Sequence, residues 1–216
     1  IAIGNYAMDA LTSADNCVGI GYAALGGTTT GGNNTGVGYH ALKLNTTGDS
    51  HTAIGYNALA SVTTSTGNTA VGTNAGDAIT TANHNVAIGY NAMTTNSTGN
   101  GNVAVGQDAL NSLAGAIDNV AIGQQALKVN LGRANVAVGG RAGFQCTDGF
   151  TNVMVGEIAG GDVTTGDNNI LIGNEAGRSG SPGGAITTAN NILSLGDGNI
   201  ATANVQVDWT VASDKR

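Results

Sequence analysis

The stretch Asn85-Val-Ala-Ile-Gly-Tyr-Asn-Ala-Met93 returns almost letter for letter as Asn119-Val-Ala-Ile-Gly-Gln-Gln-Ala-Leu127. Its glycine belongs to a series, Gly4, Gly21, Gly38, Gly55, Gly72, Gly89, Gly106 and Gly123, in which each member stands 17 residues after the last. Gly139, Gly156 and Gly173 continue the series after a single step of 16. A short fixed period over most of a 216-residue chain means one small structural unit stacked on itself many times.

Counting outward from the glycine, the residue just before it is isoleucine or valine in all eleven periods. Valine, threonine or isoleucine stands three before it, and alanine or glycine stands between them in all periods but two, Met154 and Leu171. Alternation of this kind, with β-branched residues at every second position, predicts a short strand with one larger and one smaller face. Alanine stands three after the glycine in all eleven periods, from Ala7 to Ala176, and is followed by Leu, Met or Gly. A second short strand or a tight corner facing a crowded interior is expected there.

Four before the glycine stand Asn34, Asn68, Asn85, Asn102, Asn119, Asn135, Asn152 and Asn169, with Cys17 and His51 as exceptions. Stacked at one strand spacing, these amides are placed to hydrogen-bond along the column as a ladder. The glycine itself permits a backbone turn or a close approach that other residues forbid. The rest of each period, such as Lys43-Leu-Asn-Thr-Thr-Gly-Asp-Ser50, is a polar loop rich in turn formers.

Composition supports a narrow interior. The chain has 36 glycines, one proline, 10% charged and 4% aromatic residues, too few large side chains to fill a wide core. A low-complexity, disordered tract is the competing reading of such a composition, but disorder would not hold isoleucine or valine at one place in every period. The formal net charge of −7 argues against nucleic acid or an anionic membrane surface as partner. No run of 18 apolar residues predicts a spanning helix, and no basic and then apolar leader opens the chain. The chain begins mid-repeat at Ile1, so more protein is expected upstream. Cys17 and Cys146 are 129 residues apart, which at ~4.8 Å per period puts them ~36 Å apart along the axis, beyond the reach of a disulfide.

The expected architecture is therefore all-β: a parallel β-roll or β-solenoid of about eleven 17-residue coils over residues 1–177, roughly 55 Å long. An irregular final coil with a long loop is expected at 178–202, and a C-terminal segment at 203–216. Such a thin roll leaves apolar valine and alanine faces uncovered. Closing three copies around an axis would bury them and remove free edges, so a homotrimer is expected, with a monomeric solenoid as the alternative.

The phrase Asn-Val-Ala-Ile-Gly-x-x-Ala resembles the head repeats of trimeric autotransporter adhesins, and it is also similar to the shaft repeats of phage tail fibres. Either resemblance implies a rigid extracellular trimer used in attachment. The segment Val205-Gln-Val-Asp-Trp-Thr-Val-Ala-Ser-Asp-Lys-Arg216 is similar to the entrance of the intramolecular chaperone domain of endosialidases and phage tail spikes. That resemblance implies a downstream chaperone, absent from this chain, that trimerises the fibre and then cuts itself off. Ser213 would be the nucleophile and Ser213–Asp214 the cleaved bond, with the partner lysine beyond Arg216. The function implied is the shaft of a viral tail fibre involved in host attachment, located on the virion outside the cell, with two further copies of the chain and a host surface glycan or other receptor as partners. The alternatives are the head of a bacterial surface adhesin, at the cell surface, and a glycan-cleaving tail spike. A glycan-cleaving enzyme needs paired carboxylates in a cleft, and no pair here stands out from the loop acids, so no catalytic residue is expected in the shaft.

The remaining candidates carry two readings each. Tyr22, Tyr39, Tyr56 and Tyr90 follow the anchoring glycine and would form a column, either a packing ladder or a platform for sugar rings. The segment from Arg178 to Asn191, containing Pro182, is 14 residues where other loops have seven or eight. It is either a binding loop or the transition out of the roll. His40, His51 and His84 lack a second ligand at metal spacing. Asp15, Asp49, Asp77, Asp118, Asp148 and Asp167 share no position that would make a calcium column, and read as solvated turn residues. No cofactor and no metal are expected.

Overall fold

A computed structural model describes residues 1–112, 114–181 and 183–199. Its regular structure is one twelve-stranded sheet with the strands in chain order. They are β1 (Ala2–Ile3), β2 (Val18–Ile20), β3 (Thr35–Val37), β4 (Thr52–Ile54), β5 (Thr69–Val71), β6 (Val86–Ile88), β7 (Val103–Val105), β8 (Val120–Ile122), β9 (Val136–Val138), β10 (Val153–Val155), β11 (Ile170–Ile172) and β12 (Leu193–Leu195). Every neighbouring pair is parallel, and like positions of the repeat face each other: Val86 pairs with Val103, Ala87 with Ala104 and Ile88 with Val105. A strand of three residues cannot bury its own faces, so each coil depends on the ones above and below. The chain is an all-β parallel solenoid.

Register survives two departures from the period. Val120 pairs with Val136 across the 16-residue step. Ile170 pairs with Leu193 across an interval of 23 residues, so β12 adds a rung beyond the long loop. Loop length changes while the strand column stays in phase.

The small face of the strand points inward. Ala53, Ala70, Ala87, Ala104, Ala121 and Ala137 are essentially sealed from solvent, and the alanines three after the glycine, from Ala24 to Ala176, are buried with them. The expectation that alanine faces lie uncovered is thus corrected: only the β-branched face looks outward. Large core residues are matched to small ones, as close packing requires. Leu25, Leu42, Leu59, Leu110 and Leu127 fill the interior where the central strand residue is glycine or alanine. Where that residue is Met154 or Leu171, the leucine position becomes Gly160 or Gly177. A Cβ added at Gly177 would lie 2.9 Å from Leu171 Cδ1. Bulk is exchanged within the same slice of the rod.

The segment after the glycine is a corner and not a second strand. Its second and fourth residues take left-handed φ in every coil, for example Asn91 (53°) and Met93 (57°), or Gln125 (57°) and Leu127 (47°). Leu and Met rarely adopt that conformation, at a cost of roughly 1–2 kcal/mol per residue. Neighbouring coils hold it in place: Asn91 donates its N–H back to Thr73 O (3.1 Å), and Met93 donates forward to Ala109 O (3.0 Å). The anchoring glycine has two independent requirements. At Gly89 φ is +133°, and a Cβ would lie 2.6 Å from the carbonyl oxygen of Gly106 in the next coil.

Candidate functional site

The asparagine column is buried and bonds mainly to backbone rather than amide to amide. Asn68 Oδ1 accepts the N–H of Asn85 (2.9 Å), Asn85 Oδ1 accepts that of Asn102 (2.9 Å), and Asn102 Oδ1 that of Asn119 (3.0 Å). Each Nδ2 donates to a carbonyl in the following loop, Asn85 to Gly99 O at 2.9 Å and Asn135 to Gly149 O at 2.7 Å. Asn34 (to Gly48 O), Asn152 (to Gly166 O) and Asn169 (to Ala189 O) repeat the pattern. Amide-to-amide contacts of 3.1–3.3 Å supplement it between neighbours from Asn68 to Asn119 and between Asn135 and Asn152. The column ties strand to loop, so its role is structural.

His51 stands in for an asparagine atom by atom. Its Nε2 faces Ser65 O at 2.9 Å, and its Nδ1 accepts the N–H of Asn68 at 3.1 Å. That pairing requires the neutral ring with its proton on Nε2. Burial holds the imidazole below its ordinary 6.5, while the Ser65 carbonyl and the Asp49 charge favour the protonated ring. Cys17, at the same position two coils before His51, points its Sγ at Gly31 O (3.4 Å). Both cysteines are free and buried.

Two further columns bond coil to coil, and neither was apparent from residue identities. Eight after the glycine, Thr12, Thr29, Thr46, Thr63 and Thr80 each donate Oγ1–H to the backbone carbonyl of the equivalent residue one coil on, at 2.8–3.2 Å. Six before the glycine, Asp49, Asn83, Asn100, Asp167 and Asn190 accept the N–H of the preceding coil, as Asp49 Oδ1 does from Gly32 N at 2.6 Å. Asp15, Asp49 and Asp167 therefore do share a position in the repeat, contrary to the expectation above, and Asp49 and Asp167 cap backbone there. Among the described residues, no group of three or more His, Cys, Asp or Glu side chains is placed to hold a metal ion, and no helix is long and apolar enough to cross a membrane.

Three tyrosines are brought together. Tyr22, Tyr39 and Tyr56 stack with centroids 5.2 Å apart at 12° and 6°, and Tyr6 closes one end edge-on to Tyr22 at 5.5 Å. Their faces are turned toward one another, which favours the packing ladder over a sugar platform. His40 lies against Tyr39 at 3.9 Å; desolvation and the Lys43 charge hold its imidazole below 6.5. Tyr90 is separated from the stack by Thr73 and stands alone. Arg178 lies near the other end of the rod, paired with Glu175 (3.1 Å) and Asp162 (3.4 Å). Pro182, Ser213 and Asp214 lie outside the described residues.

The outer face of the sheet is partly uncovered. Its β-branched residues form two columns along the rod, and Ile54, Ile88, Ile122 and Ile172 remain 38–43% exposed. Leu193 and Leu195 extend the same face to the last strand. Compared with protein families, curated proteins and solved structures, the chain matches none.

Proposed function

We propose that the chain is the shaft of a homotrimeric phage tail fibre that attaches to a host surface. The supporting observation is the outer face of β-branched residues along a rod with few charges, apolar in every strand at the position before the glycine and interrupted in the other column only by Thr35, Thr52 and Thr69. Fully burying an isoleucine contributes roughly 1.5–3 kcal/mol, so covering the exposed two-fifths of each contributes about 1 kcal/mol. Repeated at the isoleucine rungs, that favours association, and identical rods side by side present the same columns to each other. Three chains around an axis give a stiff support on which weak receptor contacts add through effective concentration. The role is mechanical, with no turnover of host polysaccharide by this segment.

Mass in solution tests the trimer. The chain is expected at three times 21.1 kDa, and Ile88→Lys with Ile122→Lys, on the outer face, should release monomers that keep the β-sheet circular dichroism. A wild-type monomer at micromolar concentration would overturn this reading. The bacterial adhesin head remains the alternative, and the sequence downstream decides between them: a chaperone domain for the fibre, a coiled-coil stalk and membrane anchor for the adhesin.

A further inference from the structure

The one short coil leaves a mark on the surface. Between Gly123 and Gly139 the repeat has 16 residues, and a depression of about 390 Å3 opens beside that step, lined by Ile117, Leu131, Gly132, Arg133, Asp148 and Phe150. This volume is within the range of small-ligand sites. Both outer bonding columns are interrupted here. Leu131 occupies the threonine position, and Ile117, Arg133 and Phe150 occupy three successive places in the Asp/Asn column. Residues that elsewhere fasten coil to coil are replaced by apolar and cationic side chains, with Leu131 50% and Phe150 42% exposed.

Charge concentrates in the same place. The described residues of this acidic chain hold five Lys or Arg, and three of them, Lys128, Arg133 and Arg141, fall within 14 positions. Both phenylalanines of the chain lie beneath these cations. Arg133 Cζ is 5.9 Å from the Phe150 ring centre, and Arg141 Cζ and Lys128 Nζ are 4.9 and 5.8 Å from that of Phe144. Among the described residues the Arg133 guanidinium makes no ion pair, whereas Arg178 makes two.

An unpaired guanidinium over an exposed ring, with a carboxylate in the same wall, asks for a ligand with three properties. It must carry an anionic group for the guanidinium fork, a C–H face for the aromatic ring and apolar wall, and hydroxyl donors for Asp148. An acidic peptide supplies the first but not the adjacent hydroxyls of a sugar ring, which one carboxylate can accept together; a neutral sugar lacks the first. We propose that the notch binds one residue of a carboxylated saccharide, Arg133 pairing with its carboxylate, Phe150 and Leu131 covering its ring, and Asp148 accepting from its hydroxyls. This deepens the attachment reading by naming the class of receptor, yet it does not depend on the number of chains, so either can fail alone.

The test is a calorimetric or NMR titration of the whole chain with tetragalacturonate, with neutral galactotetraose and sodium sulfate as parallel probes. Saturable binding of the acidic sugar is expected, weakening with salt, with chemical-shift changes centred on Phe150 and Leu131. Losing a hydrogen bond to a charged group should weaken binding at least about tenfold in Arg133→Gln, and Phe150→Ala should also weaken it. Both sites are on the surface, so unchanged unfolding curves are expected and would separate lost binding from lost folding. Arg178→Gln, in the long-loop region, should bind as wild type. No saturable binding, equal affinity for the neutral sugar, sulfate binding as tightly as the sugar, or full affinity in Arg133→Gln would each overturn the proposal.

Discussion

Replacing His51 separates the geometry of the buried column from the identity of its residues. The imidazole satisfies two groups that no other side chain reaches, the Asn68 N–H through Nδ1 and the Ser65 carbonyl through Nε2–H. His51→Leu keeps the bulk and leaves the Asn68 N–H unpaired in a sealed interior, while the Ser65 carbonyl keeps only the backbone N–H of Asp49, at 3.3 Å. At roughly 1–3 kcal/mol for a buried orphan, the loss should be about 1–3 kcal/mol at pH 8. His51→Asn restores the carbonyl acceptor and the N–H donor in the arrangement that eight other coils use, and should recover most of it. The two variants should also differ from wild type in pH dependence. Burial lowers the folded pKa of His51 below 6.5, so the unfolded chain binds the proton first as pH falls. The stability His51 contributes is complete above 6.5 and is lost as pH falls toward the folded value, with a slope of at most about 1.4 kcal/mol per pH unit. Urea unfolding followed by circular dichroism from pH 8 to pH 5 measures this as the difference between wild type and His51→Asn, which cancels every other titrating group. A His51→Leu variant as stable as wild type at pH 8, or a difference curve that stays flat with pH, would refute the atom-for-atom substitution of imidazole for amide.

Three other outcomes follow from the same packing. Gly89→Ala should cost more than the roughly 1–2 kcal/mol of a left-handed residue with a Cβ, because its Cβ also meets the Gly106 carbonyl; hydrogen exchange should quicken in the two adjoining coils. Asp77 is half buried with Oδ1 unpartnered, and burial raises its pKa. Its folded value lies above its unfolded one, so its contribution is most favourable at low pH and is lost as pH rises. Asp77→Asn should therefore raise the urea midpoint at pH 7 and leave it nearly unchanged at pH 3. Burial pushes the Cys146 thiol up to about 11, so iodoacetamide should modify it at pH 8 only as fast as the coil opens. Its contribution to stability should fall as pH climbs from about 9 toward 11, where the unfolded thiol ionises first.

The strand was legible because its signal is local: a β-branched residue on each side of alanine or glycine, fixed against one glycine, leaves little else for the backbone to do. The corner was not legible in the same way. Leu42, Met93 and Leu127 are poor candidates for left-handed backbone, and their conformation is set by bonds to adjacent coils that no single period contains. The threonine and Asp/Asn columns escaped because what repeats is an acceptor or a hydroxyl aimed along the axis, while the residue name varies among Asp, Asn, Thr and Ser. The tyrosine stack was placed by spacing, but only the ring angles decide that its faces are occupied by each other. The notch was least visible, since one missing residue in a loop carries no chemistry until Ile117, Leu131, Arg133 and Phe150 are seen around one hollow.

Register that holds across intervals of 16, 17 and 23 residues makes the rod a ruler whose marks are independent of what hangs from them. Each rung advances by about 4.8 Å, and each loop leaves and rejoins the sheet at fixed points. A loop can then be lengthened, shortened or exchanged without shifting the register of the strands. Diversification of such a chain is addressable: a new contact can be written at one height on the rod while every other height keeps its spacing. A segment of foreign sequence spliced between β11 and β12, where the chain already carries the widest interval, would inherit that address.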